Sequence, residues 1–303
     1  MTKFLKRAEW ALAILLSAAA IFFLVARCAH AGALWRDEAA VANLARMPSV
    51  TDIAQNFQHE AFPLPFPLLV RAYTSIVGTS DLALRSLGFL AGIAVLAAIW
   101  IAARLIHRGP PLIALALLGL NTTFLFWGTT VRGYGFGSAF IILAFALIAS
   151  LLREFSTSRI ITAALVSLVA VQCLVHNLAL IAALVFAAAL ASLLRHDSKR
   201  LITFLGIFAL CVISLLPYLN AYSNSWSQVV EFPVTAHLLW NQFNFALGNP
   251  NPLLASLWHV AFLVLLGAAI WKLFRSRTNR QDPEWNLLFF SSLTLIAAAI
   301  AYY

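Results

Sequence analysis

Two carboxylates stand side by side in the stretch HAGALWRDEAAVANLA, residues 30–45, directly after the first long apolar run of the chain. A carboxylate so placed can accept the proton of a hydroxyl during catalysis. Neighbours on a helix point about 100° apart, so Asp37 and Glu38 cannot both face one reacting atom. One acts and the other supports. A plainer reading competes: acids in a helix's first turn interact favourably with its dipole, by roughly 0.3–1 kcal/mol, and a water-facing pair needs no other role. The neighbours shift the weight. Trp35 belongs to the kind of aromatic belt found at membrane–water interfaces. The small apolar run after the acids would press the helix against protein, where ionisable groups serve pathways or sites.

The elements that must position these acids are apolar. Of 303 residues, 62% are hydrophobic and only 10% charged, with a formal net charge of +9. That balance belongs to a membrane protein, all-α and polytopic. Runs of roughly 20 apolar residues predict about nine spans, near residues 10–27, 83–103, 110–127, 135–152, 160–174, 178–194, 201–219, 253–273 and 286–303. A single membrane domain covers 1–303. A loop over 29–82 separates the first two spans, and Ser49 with Asp52 approximates a capping box inside it. The Pro-broken FPLPFPLLVRAY that follows predicts a helix lying on the membrane face.

Lys and Arg fall in short clusters between spans rather than on one stripe, which excludes nucleic acid as a partner and points to the bilayer. Alternate threading places Arg104, His107, Arg108, Arg153, Arg159, Arg195, Lys199, Arg200, Lys272, Arg275, Arg277 and Arg280 on the side of Lys3. By the positive-inside rule that side is cytoplasmic. Asp37, Glu38, His59, Glu60, Arg71, Arg85, Arg132, His176 and the loop over 218–252 then gather outside. The N-terminus resembles a signal sequence with a cleavage-like AHA at 29–31, but the acidic motif reads as attached to an anchored helix. The last segment stops at Tyr303 without a polar tail, as in a shortened or incomplete chain.

Cys28, Cys173 and Cys211 have no CxxC spacing and an odd count, which predicts neither a disulfide framework nor a thiolate metal site. The glycines of RGYGFGS match no phosphate loop, since no strand precedes and no Lys-Ser/Thr follows. The sequon NTT at Asn121 lies near the end of a predicted span and reads as incidental. The 218–252 loop is rich in Asn, Gln, Trp and Phe, a mixture that suits sugar binding and also an interfacial helix.

The N-terminal basic anchor, one span, W-x-D-E-A, the Pro-rich stretch and GTSDLALRSLGFLAGIAVLAAIWIAARLI (78–106) together resemble the GT-C superfamily of membrane glycosyltransferases. The nearest likeness is to the bacterial group similar to protein O-mannosyltransferases and the lipid A aminoarabinose transferase. It continues through TTVRGYGFGSAFIILAFAL, where Arg132 and Tyr134 fit an Arg-x-Tyr, and QCLVHNLALIAAL, where His176 falls at an external turn. The resemblance implies a GT-C fold, a polyprenyl-phosphate sugar donor, inversion at the anomeric carbon, and Asp37 as the catalytic carboxylate of the first external loop, with Glu38 beside it. The acceptor would be a glycan, a lipid or a protein, and the setting a bacterial inner membrane.

The residue types suit that chemistry. A sugar hydroxyl needs a carboxylate to take its proton, and a departing lipid phosphate needs donors. Arg85 and Arg132 are the phosphate candidates, because a guanidinium holds two oxygens at once; interfacial snorkelling is the competing reading. Relatives carry a His-Pro-Pro-Leu-Tyr-Tyr-like stretch where this chain has Phe62 and Pro63, so His59 departs from the pattern while staying a substrate-site candidate. A divalent cation held by Asp37, His59, Glu60 and His176 is the lesser expectation, since no two have local ligand spacing. A transporter or flippase of lipid-linked sugars, or a silent scaffold, would share the acids and the arginines, but transporters place ionisable groups at midplane on broken helices.

Overall fold

The computed structural model describes residues 3–56, 60, 62–106, 109–219, 235–275, 287, 289–295 and 297. Among the described residues the chain is helical between its turns and holds no strand. Hydrocarbon dictates this, because a backbone amide there finds a partner only within its own helix or a closed barrel. Four segments are long and apolar enough to cross a bilayer: α1 (Lys3–His30), α5 (Asp81–Ile106), α8 (Tyr134–Arg153), and α11 (Ser198–Leu215) with its extension to Tyr218. Large apolar side chains on α1, such as Phe22 at 66% exposure, face away from the protein. The chain is a membrane protein.

Of the nine expected spans, these four are long and apolar enough among the described residues, and the other segments differ for physical reasons. Residues 110–127 do not form one helix: α6 (Leu112–Ala114) and a π-helical turn, Leu115–Gly119, end at Leu120, and α7 (Thr122–Trp127) starts afresh. Asn121 makes the break by capping α7, its side-chain oxygen accepting from the Phe124 N–H at 3.2 Å. At 17 residues each, α9 (Thr157–Cys173) and α10 (Asn177–Leu193) are about 25 Å long, at the lower limit of a span. Two further helices, α12 (Ala236–Ala246) and α13 (Pro252–Arg275), follow. Half of the expected last span, 286–303, and residues 220–234 of the loop over 218–252 lie outside the described residues.

Packing centres on α5 and α8, with α1 against α5, α9 and α10 against α8, and α11 against α9 and α10. Small residues set these approaches. A Cβ on Gly88 of α5 would stand 1.9 Å from the Thr129 carbonyl oxygen, so only glycine lets this helix meet the turn before α8. Gly135 likewise admits the carbonyl of Gly128, and the RGYGFGS glycines thus serve helix packing.

The alternating helices gather opposite chemistries at their two ends. At one end, arginines close the last turns of helices, where carbonyls lack partners and the dipole is negative. Arg153 donates to Ile106 O at 2.9 Å, Arg200 to Leu151 O at 3.1 Å and Arg195 to Leu152 O at 3.2 Å. His107, Arg108, Arg277, Arg280 and the side chains of Lys272 and Arg275 lie outside the described residues.

The other end is covered by α2 (Arg36–Ala45), α3 (Val50–Asn56) and α4 (Pro65–Val77). The expected capping box opens α3: Asp52 accepts from the Ser49 N–H at 2.9 Å and hydroxyl at 2.8 Å. Phe66 and Val70 of α4 pack with Val41 and Leu44 of α2 and Leu84 and Leu87 of α5. Arg71 fixes the end of α2 by donating to the carbonyls of Met47 and Pro48. This apolar cover presses the first turn of α2 onto the bundle.

Candidate functional site

Glu38 occupies the third position of α2 and is 0% exposed. From there its carboxylate reaches back to the Trp35 N–H at 3.2 Å, the reciprocal half of a capping box. It also binds two groups distant in sequence, the Arg85 guanidinium at 2.5 Å and the Val131 N–H at 2.9 Å. Arg85 in turn donates to the Ala33 carbonyl at 2.8 Å. One buried acid therefore joins α2, α5 and the turn before α8. Its acceptor sites are filled from within the protein, and it holds the others in place.

Asp37, one residue earlier, points elsewhere. Its side chain retains 28% exposure and meets Arg36, itself 89% exposed, at 3.1 Å. Such an exposed contact constrains little. The division expected from helical geometry is therefore present: a buried anchoring carboxylate and an accessible one.

Arg132 secures the peptide that carries Asp37, donating to the Asp37 carbonyl at 3.3 Å while it pairs with Glu60 at 2.6 Å. The Arg132 and Glu60 side chains are 9% and 11% exposed. The guanidinium lies 5.3 Å from the Phe62 ring and 5.9 Å from the Tyr134 ring. Tyr134 stands 6.0 Å from Trp127, which meets Trp35 edge-on at 5.5 Å. An aromatic wall thus runs from the start of α8 to the start of α2. His176, directly before α10, is exposed at this same end of the bundle. His59 lies outside the described residues.

Sequence reasoning missed Arg27, which it spent as the end of the first span. Arg27, Cys28 and Ala31 of the first helix and its exit share a narrow cleft with Arg85, Phe89 and Thr129. The Arg27 guanidinium stacks at 4.6 Å over Phe126. Arg27 Nε, Arg85 Nε and Trp35 Nε1 are all shielded from solvent and have no hydrogen-bond acceptor within the described protein. Arg85 is paired with Glu38, and the Nε–H groups of Arg27 and Arg85 are left as unfilled donors along this cleft. A single Arg inside an otherwise apolar helix end was the available signal.

Glu38 is paired with Arg85 and Glu60 with Arg132, while Asp37 keeps only an exposed contact with Arg36; of the two histidines in the expected cation set, His59 lies outside the described residues. Among the described residues no three His, Cys, Asp or Glu side chains come together as a ligand set. The geometry leaves an accessible carboxylate at Asp37 and unfilled Nε–H donors at Arg27 and Arg85. No protein-family model, no curated protein and no solved structure matches the chain.

Proposed function

We propose that the chain is a membrane glycosyltransferase of GT-C type, moving a sugar from a polyprenyl-phosphate donor to a hydroxyl of a glycan, lipid or protein at the external leaflet of a bacterial inner membrane. The observation that supports this reading is the accessible Asp37 carboxylate at the same end of the bundle as Arg27 and the Glu38-paired Arg85, whose Nε–H donors have no acceptor within the described protein. In this reading the basic helix ends face the cytoplasm, as does the N-terminus, and the polytopic bundle is of the nine-span kind.

The acceptor hydroxyl gives its proton to Asp37 as its oxygen bonds to the anomeric carbon from the face opposite the phosphate. The bond from that carbon to the phosphate oxygen breaks, its electron pair leaves with the lipid phosphate, and the anomeric centre inverts. Arg27 and Arg85 offer donors to the departing oxyanion in a site of low dielectric, where such donors act most strongly. Glu38 and Arg132 orient rather than react. Tyr134 and Trp127 give the sugar an aromatic wall, and His176 and His59 belong to the surrounding substrate surface. No metal is required by this scheme, since guanidinium groups meet the leaving charge. The test is release of labelled sugar from polyprenyl-phosphate donors by membranes holding the chain, with Asp37→Asn as its control. Turnover that persists in that variant would refute the general base.

A further inference from the structure

Away from Asp37, the last turns of α12 and the start of α13 line an open pocket of about 450 Å³. That is within the size range of small-ligand sites. Its wall includes Trp240, whose indole lies against the His259 ring with centroids 3.8 Å apart and the planes tilted by 32°. Trp240 keeps 51% of its surface exposed, so a face of the indole remains available. Asn241, Asn244, Asn249 and Ser256 add amides and a hydroxyl around it. The Asn244 side-chain oxygen is shielded from solvent and has no partner within the described protein. Among the described lining residues none is Asp, Glu, Lys or Arg.

The cavity is held in place by the NTT triplet. Asn121 donates to Ala246 O at 2.7 Å, Thr123 to Phe245 O at 2.5 Å and Thr122 to Gly248 O at 3.1 Å. Three consecutive side chains thus clamp the last two carbonyls of α12 and that of Gly248 just after it. Asn121 itself is buried and fully engaged, so the sequon is structural. The other end of α7, Trp127, touches Trp35 beside Asp37. The six residues of α7 span about 9 Å.

From these features we infer that the α12–α13 cavity binds a neutral sugar unit. An aromatic face meets the C–H side of a pyranose, amides exchange hydrogen bonds with its hydroxyls, and the lack of formal charge disfavours a phosphate or a uronate. The site stands apart from the transfer chemistry and needs no reaction at Asp37.

Saturation-transfer NMR on the full chain in phospholipid nanodiscs tests it, with methyl glycosides of glucose, galactose and mannose as probes and methyl glucuronide as the charged counterpart. At least one neutral glycoside should receive saturation, and the glucuronide should receive less. Trp240→Leu and Asn244→Leu, each checked for helical content, should each weaken the signal, the former about tenfold in affinity. Asp37→Asn should leave it unchanged, which keeps this binding separable from the transferase reading. No transfer to any neutral glycoside, stronger transfer to the glucuronide, or a signal indifferent to both pocket variants would overturn the assignment.

Discussion

Glu38 and Arg85 meet at 2.5 Å with their side chains 0% and 6% exposed, forty-seven residues apart in sequence. Removing one partner from such a pair leaves the other charge buried, at a cost of about 3–5 kcal/mol. Arg85→Ala and Glu38→Ala should therefore each deplete folded protein, read as a large fall in thermal unfolding temperature in detergent. Asp37→Asn should shift it by less than about 0.5 kcal/mol, as for an exposed site. Equal destabilisation by all three would contradict the division of labour within the acidic pair.

Arg27 should affect donor use rather than folding. Its Nε has no acceptor within the described protein, and a hydrogen bond to a charged group is worth about 1.5–3 kcal/mol. Arg27→Gln should thus raise the KM for a polyprenyl-phosphate donor by roughly tenfold or more, with helical content and unfolding temperature near those of the parent. An unchanged KM would remove Arg27 from the phosphate site.

Gly88 tests the packing. The Cβ of an alanine there would lie 1.9 Å from a backbone oxygen that cannot rotate away. Gly88→Ala should cost about 1–3 kcal/mol and separate α5 from the turn that supplies the Val131 N–H to Glu38. Thermal unfolding of Gly88→Ala beside Gly206→Ala, where the new methyl meets open space, isolates that clash from helix propensity.

At the basic end, pH offers a local probe. Burial alone pushes the Asp197 carboxyl up, but the Arg200 backbone N–H and guanidinium, with the Arg195 charge, outweigh it and hold its pKa below the ordinary 3.8. The sign follows: Asp197 stabilises the fold above that value, and the contribution fades as pH falls through the lower folded value. The gap in unfolding temperature between parent and Asp197→Asn should be constant near neutral pH and close below about pH 3.8. A gap that widens on acidification would reverse the assignment.

The helical class was legible because apolar run length and the need to satisfy amides in hydrocarbon leave few alternatives. The split between Asp37 and Glu38 was legible too, since it follows from the helical repeat. The ion-pair partners were not. Arg85 with Glu38 and Arg132 with Glu60 join positions 47 and 72 residues apart, and nothing local encodes which guanidinium meets which carboxylate. The broken 110–127 segment had a readable cause in Asn121, Thr122 and Thr123, three polar side chains inside an apolar run, but their partners on α12 lie more than 120 residues away. Arg27 was hidden for a simpler reason: a basic residue ending a span satisfies the interfacial reading before any ligand is considered.

The most direct test is a single-turnover measurement with a labelled polyprenyl-phosphate sugar in membranes carrying the parent chain or Asp37→Asn. General acid–base groups contribute about 10²–10⁴-fold, so the variant should transfer at least about a hundredfold more slowly while folding and inserting normally. Equal rates in the two, or no transfer from any donor by well-folded parent protein, would contradict the transferase account.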